Sequence, residues 1–244
     1  MTRVQCAVYA AVYGDIVGSS TESKDKLFRD ESLSVEDLER KGCFTDDTVL
    51  TVATYDALKN KKDFFSTYIE WASKYRRAGY GSNFRENILT GKVKAFESHG
   101  SSNGCIMRAS PLLELDFNKD IETIKSSILC THNHPDSLLA YEWYDGFAKG
   151  DELPISYIDY EDLLEVHSFD ITALGTVRDA ISVAVASCSI REAAMKASFL
   201  GGDTDTVAAI ACSLVAYKTN DVDSKILDFV NSKITGEMRD LLSS

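Results

Sequence analysis

The chain has 244 residues, 44% of them hydrophobic and 26% charged, a composition that supports a packed core and excludes a disordered polypeptide. Its 38 acidic against 26 basic residues give a formal charge of −12, which opposes condensation on a nucleic-acid scaffold or an anionic membrane surface. Six scattered cysteines show neither a Cys-x-x-Cys pair nor zinc spacing, and no apolar run reaches the roughly 18 residues of a membrane span. The expectation is a cytoplasmic, monomeric protein that folds as one domain over residues 1–244.

Val4, Val8, Ala11 and Val12 recur at helical spacing, and the same face continues to Asp15, so a carboxylate falls on a buried stripe and needs a partner. Residues 24–40 are charge-rich and read as a surface loop with a short helix at 35–40. Thr45 or Asp46 then caps a helix whose face is Val49, Leu50, Ala53, Ala57 and Leu58, and a further helix is expected over 64–76. Gly79, Gly81, Gly91, Gly100 and Gly104 mark a stretch that is mostly loop, with one helical segment near 85–90, closed by Pro111.

Helical periodicity returns at 121–130, stops at Thr131-His132-Asn133-His134-Pro135 and resumes over 137–149, while 150–169 reads as irregular. Leu174, Val177, Ile181 and Ala184 lie on one helix. Ser189-x-x-Glu192 is a capping box opening a second, which stops at Gly201-Gly202. Val207, Ile210, Ala211, Leu214 and Val215 form a third. With no alternating strand pattern and no internal repeat, the fold class is all-α: a compact single-domain bundle of orthogonal helices.

Two segments carry the chemistry. Gly201-Gly202-Asp203-Thr204-Asp205-Thr206 joins a tight turn to two carboxylates and a hydroxyl, hard oxygen donors at a helix entrance. Thr45-Asp46-Asp47-Thr48 repeats those residue types at another helix start, where adjacent carboxylates repel unless a cation or proton lies between them. Either segment alone would serve as a helix cap. Facing one another, they would offer oxygens to one or two octahedral ions, Mg²⁺, Mn²⁺ or Ca²⁺.

These motifs, in this order, resemble the ADP-ribosylglycohydrolase family, which includes the dinitrogenase reductase-activating glycohydrolases. The resemblance rests on Gly14-Asp15-x-x-Gly18 with Glu22 downstream, Thr45-Asp46-Asp47-Thr48, Ser102-Asn103-Gly104-x-x-Met107-Arg108 followed by Pro111, Thr131-His132-x-His134-Pro135, and Gly201 to Thr206. It implies the all-helical ADP-ribosylglycohydrolase fold with two divalent cations, Mg²⁺ or Mn²⁺, on Thr45, Asp46, Asp47, Asp203, Asp205 and Thr206. It also implies a substrate, ADP-ribose joined through its distal ribose to a protein side chain or a small molecule.

On that reading Asp46 or Asp47 is the base, and Glu22 is an acid/base or metal-gating residue, or else a surface glutamate. Asp15 supports the metal shell through hydrogen bonds. Ser101, Ser102, Asn103 and Gly104 cradle the diphosphate. Met107, Arg108, His132 and Gly202 complete the substrate contacts, with Tyr80, Phe84, Tyr141 or Tyr144 as wall residues. The expected activity is metal-dependent hydrolysis that reverses mono-ADP-ribosylation; the alternatives are an inactive ADP-ribose-binding module and a two-metal phosphohydrolase.

Overall fold

The structure is a computed structural model that describes residues 1–22, 33–88, 90 and 101–244. In chain order its α-helices are α1 (Arg3–Gly18), α2 (Val35–Lys41), α3 (Asp46–Asn60), α4 (Phe64–Lys74), α5 (Ile121–Leu129), α6 (Pro135–Lys149), α7 (Tyr160–Val166), α8 (Ala173–Val185), α9 (Ile190–Leu200), α10 (Thr204–Thr219), α11 (Ser224–Lys233) and α12 (Gly236–Ser243). Among the described residues there is no strand, only an isolated antiparallel bridge between Ser102 and Thr172. No described helix is long and apolar enough to cross a membrane.

The core is organised by α1 and α10. Both are buried on nearly every face, as expected of helices apolar all round, which can only occupy the centre of a bundle. Two glycines one turn apart set how closely they approach. A Cβ on Gly14 would sit 2.5 Å from the Ala208 carbonyl carbon, and one on Gly18 would sit 2.6 Å from the Asp205 Cα. Backbone therefore packs on backbone, and the first turn of α10 lies against the last turn of α1. Thr204 at that junction donates its hydroxyl to Gly18 O at 2.8 Å, and Thr21 donates to Thr204 Oγ1 at 3.0 Å.

Most expected elements are present, with four differences. The segment expected to be irregular between 150 and 169 contains α7, a short helix capped by Asp159. Helix α6 starts at Pro135 rather than Ser137, because proline suits the first helical turn and His134 caps it, Nδ1 accepting from Asp136 N at 3.2 Å. Glu192 closes the cap of α9 on Cys188 N instead of on Ser189, although Ser189 Oγ accepts from Glu192 N as the motif requires. Beyond the last expected helix lie α11 and α12, docked through Lys233 Nζ on Gly42 O and Thr235 on the Tyr75 hydroxyl. Near 85–90 the chain forms a short π-type turn, Phe84–Ile88; Gly91, Gly100 and residues 24–32 of the expected loop lie outside the described residues.

The seam makes a direct prediction. Gly18→Ala is expected to destabilise the protein by about 1–3 kcal/mol or more through overpacking against α10. Gly236→Ala, whose added Cβ meets nothing within 4 Å, is expected to be neutral or slightly stabilising. Urea denaturation of the two variants checks this, and equal effects would contradict the seam.

Candidate functional site

The site begins with Asp15, which is fully buried and lies three residues before the end of α1. Its carboxylate accepts four hydrogen bonds from the first turn of α3. Thr45 donates its amide at 2.9 Å and its hydroxyl at 2.7 Å, and Thr48 donates its amide at 3.1 Å and its hydroxyl at 2.5 Å. Thr45 is also the N-cap, accepting from Asp47 N at 3.2 Å, while Asp46 N donates to Ala78 O at 2.7 Å. Two threonines thus face inward onto Asp15 and leave Asp46 and Asp47 to the other side.

That other side is a cavity of about 360 Å³, lined by Glu22, Asp46, Asp47, Asp203, Asp205 and Thr206 on its acidic wall. Gly201 and Gly202 both adopt positive φ, 74° and 76°, a conformation that glycine takes without steric cost, and they turn the chain from α9 into α10 so that Asp203 and Asp205 enter the cavity. Asn103 donates to Asp203 Oδ2 at 2.6 Å and to Thr176 Oγ1 at 3.1 Å, tying this turn to the 102–105 loop and to α8. Carboxylate oxygens of Glu22, Asp203 and Asp205 lie within 4.8 Å of one another. The two Asp/Thr segments, remote in sequence, share one cavity, and Glu22 joins them at its exposed edge.

Crowding weakens these acids unevenly. Loss of water pushes Asp47 and Asp205 well above the usual carboxylate range, and neighbouring negative charge adds to it, from Asp15, Asp46 and Asp203 on Asp47 and from Asp47 and Asp203 on Asp205. Asp46 is pushed up to about 8, by burial first and then by Asp15, Asp203 and Glu22. Partial desolvation, Asp203 and Asp15 raise Glu22 as well. Asp15 is raised by burial, against which its four hydrogen bonds work.

The opposite wall contains Ser102, Asn103, Gly104, Met107, Arg108 and His132. Here His132 Nε2 lies 2.9 Å from Ser102 Oγ, and the bare Cα of Gly104 lets the ring lie against the loop, since a Cβ would meet it at 3.0 Å. Among the described residues Arg108 pairs with no acid; although on the lining, it donates to Gly104 O, Ser127 O and Thr131 Oγ1. Ser101 and Gly202 are not on the lining. Ser101 O accepts from Ala173 N at 2.6 Å, and Gly202 packs under Phe169. The Asn103 amide, part of the expected diphosphate cradle, is instead spent on Ile171 O at 2.8 Å.

Of the aromatic wall candidates, Phe84 lines the cavity and stacks on buried Tyr80 at 5.2 Å. Tyr141 and Tyr144 lie in the core, with hydrogen bonds to Leu112 O and Ser213 Oγ. Phe169 and Ile171, 63% and 47% exposed, line the rim and escaped the sequence reading, because a lone aromatic in an aperiodic segment carries no spacing signal.

The sequence profile of ADP-ribosylglycohydrolases matches residues 1–144, more than half of the chain. The chain belongs to the ADP-ribosylglycohydrolase family. The matched span holds Asp15, both threonines that bind it, the 102–108 loop and His132, whereas Asp203, Asp205 and Thr206 lie beyond it and reach the site through the fold. A solved structure described as an ADP-ribosylglycohydrolase-related protein complex superposes with a TM-score of 0.70 at 20% identity, over 99% of this chain and 95% of that one, and so shares the all-helical fold. No curated protein matches the sequence. Membership in this family supports a hydrolase acting on ADP-ribose linkages.

The donor set of this family member fits a hard divalent cation. Asp47 Oδ2 is buried without a hydrogen-bond partner among the described residues, a costly state that a cation would relieve. Thr45, an expected ligand, is not on the lining: its hydroxyl donates to Asp15 and accepts from Asp47 N, which leaves one lone pair. All the candidate ligands are oxygens, as Mg²⁺ and Mn²⁺ prefer.

A pH dependence follows. Carboxylates raised in the folded state bind more protons folded than unfolded between about pH 4 and about 8, so the stability of the cation-free protein falls as pH rises through that window. Added Mn²⁺ or Mg²⁺ is expected to restore most of the loss at about pH 8. The double variant Asp46→Asn, Asp47→Asn is expected to melt higher than wild type without cation and to lose the cation response. Thermal melts across pH check this; a cation response surviving in the variant would be the contrary result.

Proposed function

We propose that this protein is a metal-dependent hydrolase that cleaves the glycosidic bond between ADP-ribose and its acceptor, a protein side chain or a small molecule, and so reverses mono-ADP-ribosylation. The observation that carries the reading is the buried, partnerless oxygen of Asp47 within the acidic wall. Thr45, Asp46, Asp47, Asp203, Asp205 and Thr206 would hold two divalent cations, Mg²⁺ or Mn²⁺. When bound, such ions orient ribose hydroxyls and acidify water.

The chain's own groups have distinct tasks. Cleavage breaks the bond from the distal anomeric carbon to the acceptor; water delivers hydroxide to that carbon, and the acceptor leaves with a proton. Asp46 or Asp47 takes the proton from water, and their negative charge stabilises oxocarbenium character at the ring. Glu22, at the exposed edge of the cavity, is the group able to hold a proton beside the departing acceptor. Ser102, His132 and the Gly104 turn face the diphosphate from the opposite wall, and Phe84 and Phe169 offer ring faces to the rest of the nucleotide.

Chromatographic detection of ADP-ribose released from arginine-, serine- and nucleobase-linked conjugates and from O-acetyl-ADP-ribose tests the reading. Release is expected with Mn²⁺ or Mg²⁺, abolished by chelation, and reduced at least about a hundredfold in Asp46→Asn. ADP-ribose binding without turnover on any conjugate would point to a binding module, and release of phosphate or AMP to a phosphohydrolase.

A further inference from the structure

Within the Ser102 wall, side chains from separate parts of the chain form one hydrogen-bonded row. Arg108 is 1% exposed, lies 4.4 Å over the Tyr68 ring and has no carboxylate partner among the described residues. Its Nη2 donates to Thr131 Oγ1 at 2.5 Å. Thr131, also 1% exposed, lies 2.9 Å from His132 Nδ1, and His132 Nε2 lies 2.9 Å from Ser102 Oγ, which borders the cavity.

Counting protons gives the row a direction. A guanidinium only donates, so Arg108 occupies one lone pair of Thr131. The Thr131 proton then needs an acceptor, and among the described residues His132 Nδ1 is the one in reach. With Nδ1 accepting, the single proton of the neutral ring sits on Nε2 and is donated to Ser102 Oγ, which leaves the Ser102 proton to the cavity. The reverse order would strand a buried hydroxyl proton on Thr131 and turn Ser102 lone pairs toward the cavity, repelling an anion. Burial, and after it the Arg108 charge, holds the His132 pKa down to about 3, so the ring stays neutral while the row is polarised from an uncompensated positive charge.

We propose that Arg108 and Thr131 are positioning residues: they fix His132 as its Nε2–H tautomer, and this turns the Ser102 hydroxyl outward as a donor that selects a phosphoryl oxygen. The phosphoryl part rests on the reading of the cavity as an ADP-ribose site; the tautomer does not.

Long-range ¹H–¹⁵N spectra of the histidine rings, with His132→Asn for assignment, read the tautomer in the wild-type protein. Nε2–H is expected in wild type and in Thr131→Ser, with the preference lost in Thr131→Val; Nδ1–H in wild type overturns the proposal whatever the protein binds. Calorimetry on Mn²⁺-loaded protein supplies the second readout. Thr131→Val is expected to weaken ADP-ribose about tenfold, the worth of one hydrogen bond to a charged oxygen, with Thr131→Ser near wild type and adenosine unaffected throughout. Equal losses for ADP-ribose and adenosine, or no loss in Thr131→Val, would overturn the selection of a phosphoryl oxygen. If wild type fails to bind ADP-ribose, the functional reading falls, and the tautomer measurement alone decides the row.

Discussion

The hydrogen bonds onto Asp15 are the constraint from which the rest of the cavity follows. Taking a carboxylate out of water costs several kcal/mol, and one bond from a neutral donor does not repay it. Asp15 receives four, two from each of Thr45 and Thr48. Residues three apart share a helix face, so the two threonines turn to α1 together and the intervening Asp46 and Asp47 turn away from it. The Thr-Asp-Asp-Thr order therefore divides the labour: the outer pair anchors α3, and the inner pair supplies charge to the cavity.

The same economy governs the second acidic segment. Gly14 and Gly18 remove the side chains that would separate α1 from α10, and the backbone of α10 seats directly on α1. Because Asp15 lies between these glycines, one stretch of α1 positions both acidic helix starts. Among the described residues no cation pairs with these acids: Arg108, on the same lining, is turned to carbonyls and a hydroxyl. The concentrated negative charge is what the proposed cations would neutralise.

Much of this was legible in the sequence, and what was not has physical reasons. Asp15 on an apolar stripe announced a buried, partnered carboxylate, and the two Asp/Thr segments announced helix entrances rich in hard oxygen donors. Helix α7 stayed hidden because it is short and its apolar residues span too few turns for a period to show. The start of α6 was misplaced because a proline can open a helix as readily as end one. Phe169 could not be assigned to the rim, since its place depends on Gly202 leaving room beneath it and on the backbone pairing of 171 and 173 with 103 and 101. The sequence shows that Arg108 is present, but only its burial and three acceptors show that its guanidinium is spent on the wall itself.

The seam between α1 and α10 also bears on how the protein is made. The buried helix α1 is synthesised well before its cover, residue 14 meeting residue 208. At ordinary elongation rates α1 waits roughly ten to forty seconds before α10 exists to receive it. Over that interval α1 can pair with α3 through Asp15 but lacks the cover of α10, and the uncovered apolar surface is open to aggregation. Closing so long a loop also costs entropy, and the cavity is complete only once α10 has docked, because Asp203 and Asp205 enter it from that helix start.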